Sequence, residues 1–132
     1  MTNILKVLNP FDETEVGSVN LVDENTIEKY LENAHLLHKN SKKRLPVYKR
    51  IEILKKVALL MSQESDDLAL LIASEGGKPL IDARVEVARA IDGVETCAHD
   101  LANIIGKEIP MGLTPAAEKK LAFSIREPIG PV

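Results

Sequence analysis

The chain has 132 residues, of which 45% are hydrophobic and 28% charged, and its formal net charge is −3. That is one domain's worth of ordinary globular sequence, and the acidic balance excludes the basic stripe of a typical nucleic-acid binder. Its only aromatic residues are Phe11, Tyr30, Tyr48 and Phe123. A core of Leu, Ile, Val and Ala therefore predicts helices packing on helices, with few platforms for stacking bases. The single cysteine, Cys97, has no internal disulfide partner and fits a reducing compartment. Residues 1–8 lack a charged-then-apolar leader, and no run approaches the ~18 apolar residues of a membrane span. The expectation is a cytoplasmic protein with no membrane or nucleic-acid partner.

In chain order, the first predicted element is a β-hairpin over about 4–21. Its turn falls near 9–14, where Asn9, Pro10 and Asp12 interrupt two apolar stretches. Asn25 followed by Glu28 has the spacing of a capping box. Ile27, Leu31, Ala34 and Leu37 or His38 then recur at helical period, which predicts a helix over about 24–39. The basic run 39–44 reads as a solvated interhelical loop.

Pro46 suits the first turn of a second helix. Its apolar stripe is Val47, Ile51, Leu54, Ala58 and Met61. Ser65 is expected to cap a third helix, with Asp66 and Asp67 at its positive end. Leu68, Leu71 and Ile72 are expected to point inward, and Gly76-Gly77 to end the helix. Pro79 opens the fourth and longest helix. Its stripe runs through Leu80, Ala83, Val87, Ala90, Val94, Ala98, Leu101 and Ile105, to a stop at Gly106, giving a length of about 40 Å. Ile81, Val85 and Ile104 lie off that stripe and imply burial on a second side or an additional partner. A turn or short strand follows at Ile109-Pro110-Met111-Gly112. Residues 120–126 then alternate, with Leu121, Phe123 and Ile125 on one face, as a period-2 strand does. The fold class is thus an α+β fragment: four helices, one long, with an N-terminal hairpin and a C-terminal strand.

Few residues suggest chemistry. Gly76-Gly77-Lys78 looks like part of a phosphate loop, but Pro79 stands where the metal-binding hydroxyl belongs and no strand precedes it. His35 and His38 share a helix without the further ligands a tetrahedral site needs. Cys97 and His99, two apart on a helix, point in different directions, so Cys97 reads as a free, partly buried thiol. Arg84, Glu86, Arg89, Asp92, Glu95 and Asp100 form a charged face, with Glu86 and Arg89 spaced to pair.

The ordered words of the chain are more specific than their separate physics. Asn9-Pro10 precedes Glu15-Val16-Gly17-Ser18-Val19. Then come Arg50-x-x-Ile53-Leu54, Glu75-Gly76-Gly77-Lys78-Pro79, Ala83-Arg84-Val85-Glu86-Val87 and Gly106-x-x-Ile109-Pro110. The last is Arg126-Glu127-Pro128-Ile129-Gly130-Pro131-Val132. This series resembles the opening segment of the NAD(P)-dependent aldehyde dehydrogenase superfamily over nearly the whole chain. One departure is Leu36-Leu37-His38, where the family often carries an aromatic residue.

The resemblance implies a parent of α/β aldehyde dehydrogenase fold that oxidises an aldehyde to an acid or acyl derivative, with NAD or NADP as hydride acceptor. In that chemistry a cysteine thiolate attacks the aldehyde, and backbone N–H and an asparagine amide hold the oxyanion. Those family residues fall after the point reached here, so no catalytic, cofactor-binding or metal-binding residue is assigned. Residues 1–132 are expected to be one N-terminal segment: hairpin about 4–21, helices about 24–106 and a bridging-sheet strand about 119–127, truncated at the start of the cofactor domain. By itself the segment is expected to be inactive and to bind no cofactor. Its implied partners are the rest of the parent chain and a second subunit, joined through the 120–127 strand. The alternative is a stand-alone helical interaction module that binds a dehydrogenase or another partner. An apolar strand with unpaired edge groups is an association hazard. The isolated chain is accordingly predicted to self-associate or to lose order after about residue 107; a monomer in sedimentation with protected amides at 120–127 would contradict this.

Overall fold

The computed structural model describes residues 4–40, 42 and 44–132. Strands β1 (Ile4–Leu8) and β2 (Glu15–Asn20) pair antiparallel, with a register shift between Val7 and Leu8. The turn between them closes on itself. The Phe11 N–H donates to Asn9 Oδ1 at 2.9 Å, and the Thr14 N–H donates to Asp12 Oδ1 at 3.1 Å. These are the side-chain-to-backbone bonds that make Asn and Asp turn formers.

Helix α1 spans Glu24–Lys39. Its cap is Asp23 rather than Asn25. The Asp23 backbone is extended, and its Oδ1 accepts from the Thr26 N–H at 2.8 Å, while Asn25 already lies in the first turn. The Thr26 hydrogen bonds hold the Asp23 carboxyl below the ordinary carboxylate range. Because its folded pKa is depressed, the cap contributes fully above that range and is lost as pH falls through the lowered value.

Helix α2 spans Val47–Gln63, α3 spans Ser65–Gly76 and α4 spans Leu80–Asp100. Only Glu64 separates α2 from α3. Its N–H donates to the Leu60 carbonyl, and its own carbonyl accepts from Leu68. Ser65 is therefore the first helical residue and not a cap; no side chain caps α3. At the other end, Gly77 takes φ 62°, the left-handed conformation that ends a helix without steric penalty in glycine. A Cβ there would also lie 2.7 Å from the Pro10 side chain, so the hairpin turn sits directly against the α3–α4 corner.

Helix α4 is shorter than the stripe predicts. At 21 residues it is about 31 Å long. The chain then tightens into a 3₁₀ turn at Leu101–Asn103, and the Ile105 N–H donates to the Asn103 carbonyl around Ile104 at φ −78°, ψ 72°. That is an inverse γ-turn, and it diverts Ile104 and Ile105 off the helix before Gly106 is reached. Both isoleucines are exposed, as is Ala90.

The core lies where α4 packs against α2 and α3. Its fully buried residues are small: Ala58, Ala69, Ala83, Val87 and Ala98. Ala69 and Ala83 have 0% exposure and, with Val87, are surrounded by half-buried Leu68, Ile72, Ala73 and Ile91. Leu71, expected inside, is exposed, and Ala69 takes the central position instead. The stripe predicted for α2 holds through Ile51, Leu54, Ala58 and Met61, while Val47 is exposed. Among the described residues no helix is long and apolar enough to cross a membrane.

A contact without side-chain volume tolerates no growth. Ala83→Leu is predicted to destabilise the three-helix core by about 1–3 kcal/mol through overpacking, measured as a lower midpoint in urea with an unchanged slope.

Candidate functional site

The residues singled out for chemistry are scattered over the fold. Gly76 and Gly77 form the α3–α4 corner, and the Lys78 ammonium is paired with the Glu86 carboxylate. Glu86 thus meets Lys78 and not Arg89, as its spacing had implied. The neighbouring Arg84 reaches back to Asp66 at 3.2 Å, tying α4 to the first turn of α3. Both pairs are largely solvated and add little stability.

Cys97 is exposed on α4 rather than partly buried, because Ala98 takes the inward position beside it. His35 is exposed on α1; His38 is half-buried at its C-terminal end. Of the basic run, Ser41 and Lys43 lie outside the described residues, and Arg44 donates to the His38 carbonyl at 3.2 Å. Among the described residues no three His, Cys, Asp or Glu side chains converge as a metal site.

Nor do these residues fit a dinucleotide. The one glycine pair turns between two helices, its lysine is engaged by Glu86, and Pro79 removes a backbone donor where a phosphate would dock.

Two surfaces remain. The first is the sheet formed by β3 (Glu108–Ile109) and β4 (Ala122–Phe123), paired Glu108 to Phe123 and Ile109 to Ala122. Only two residues of the predicted 120–126 strand form a ladder. The pairing is extended by the Ser124 N–H donating to the Lys107 carbonyl at 2.8 Å and the Lys107 N–H donating to Ser124 Oγ at 2.9 Å. Leu121, Phe123 and Ile125 are 77%, 66% and 66% exposed. The alternation is therefore present, but among the described residues nothing covers its apolar side, and β4 has no neighbour on its outer edge. Gly106 makes the close approach possible: a Cβ on it would fall 1.6 Å from the Ser124 carbonyl oxygen. The sequence marked Gly106 as a helix stop and as the first residue of Gly106-x-x-Ile109-Pro110; its approach to Ser124 carries no local signal.

The second surface is a groove of about 570 Å³ between the end of α1 and the segment 128–131. Ala34, Leu37, His38 and Leu45 line it together with Pro128, Gly130 and Pro131, and the two guanidinium-bearing residues Arg44 and Arg50 also contribute to the lining.

Profile comparison decides what this arrangement belongs to: the Aldehyde dehydrogenase family matches residues 2–132. The chain belongs to the aldehyde dehydrogenase family. A 3-sulfolactaldehyde dehydrogenase of Priestia aryabhattai is 27% identical over 128 residues, which are 97% of this chain and 26% of that protein. Aldehyde dehydrogenase 21 of Physcomitrella patens, solved with its reaction product succinate, superposes with a TM-score of 0.81 at 25% identity. That match covers 89% of this chain and 24% of the other. The glyceraldehyde-3-phosphate dehydrogenase of Methanocaldococcus jannaschii, solved with NADP, gives 0.74 at 25% identity over 83% and 24%. The chain thus spans about a quarter of the length of these aldehyde dehydrogenase relatives and corresponds to their N-terminal quarter.

Gly106→Ala is predicted to unseat β4 while leaving α2, α3 and α4 helical. Hydrogen exchange checks this: protection at the Ser124 amide should vanish, whereas amides in α4 should exchange as in the parent chain.

Proposed function

We propose that this chain is the N-terminal segment of an NAD(P)-dependent aldehyde dehydrogenase and that the segment alone is inactive. The observation carrying this reading is the family match across residues 2–132 of a chain that spans a quarter of its relatives. The segment supplies scaffold rather than chemistry: the hairpin of β1 and β2, the helices α1 to α4 and a bridging strand about 119–127. No catalytic, cofactor-binding or metal-binding role falls to its residues. In the longer protein a nucleotide cofactor, NAD or NADP, accepts hydride from an aldehyde, and the groups that hold it lie outside this segment. The NADP-bound relative supports that cofactor class.

The further parts of the reading concern partners and place. The segment binds the rest of its own chain, and the strand at 120–127 joins it to a second subunit. The exposed Leu121, Phe123 and Ile125 beside an open strand edge support this, since such an edge readily templates pairing. The lone exposed cysteine is compatible with cytoplasmic residence.

Incubation of the purified chain with NAD or NADP and a panel of aldehydes is predicted to yield no NADH or NADPH. Turnover that co-purifies with the chain through successive columns would refute the claim.

A further inference from the structure

We draw no further inference here: the strongest candidate, the groove between the end of α1 and the segment 128–131, where Arg44 and Arg50 stand with His38 among apolar residues, belongs to the family fold already described, and nothing in the structure shows what group of opposite charge would occupy it.

Discussion

Everything in this fold depends on the seam where Ala69 of α3 meets Ala83 of α4, both without solvent exposure. Alanine at the contact lets two helices approach closely, and interaxial distance follows the side chains between them. The seam continues through Val87, with Ala58 and Ala98 at other points of the same α4-centred packing. Such a core is specific but small. Among the described residues no large side chain is fully buried, and apolar residues on α1, on β4 and in the segment after α4 face solvent. A compact monomer of this size ordinarily hides far more of its large apolar surface. The seam thus explains both what holds together here and why so much surface is left to be covered by something else.

The three-helix core was legible in the sequence because its signal is local. A 3.6-residue period with Gly77 at one end and Pro46 and Pro79 at two beginnings fixes helices without reference to partners. The errors fall where a choice depends on competing groups a few residues apart. Asp23, two residues before the expected cap Asn25, accepts from the Thr26 N–H and takes the cap position. Glu64 breaks α2 from α3 by one residue, which leaves Ser65 inside the helix. The α4 stripe overran because Leu101 and Ile105 keep the period after the backbone has already tightened into a 3₁₀ turn. Burial was harder still. Leu71 and Ala90 have the right spacing, but closest approach falls on Ala69 and Ala83, and that is a property of the helix pair rather than of either sequence.

The site shows the same division. Period-2 alternation revealed the apolar face of Leu121, Phe123 and Ile125, yet only two residues of that stretch pair, because Lys107 and Ser124 fix where the ladder runs. The charged face of α4 was legible as charged, but not in its pairing: Lys78 precedes the helix and takes Glu86 before Arg89 does. The ordered words of the chain carried more than its periodicities, since the periodicities alone describe a helical domain with a β-hairpin, a C-terminal strand and no chemistry.

The central claim is that this segment works as one quarter of a larger dehydrogenase. The most direct test is the intact mass of the protein carrying these residues in its natural source. The account predicts a species of about four times the 14.5 kDa of this chain. A species of 14.5 kDa, with no longer form in the same cells, would contradict it.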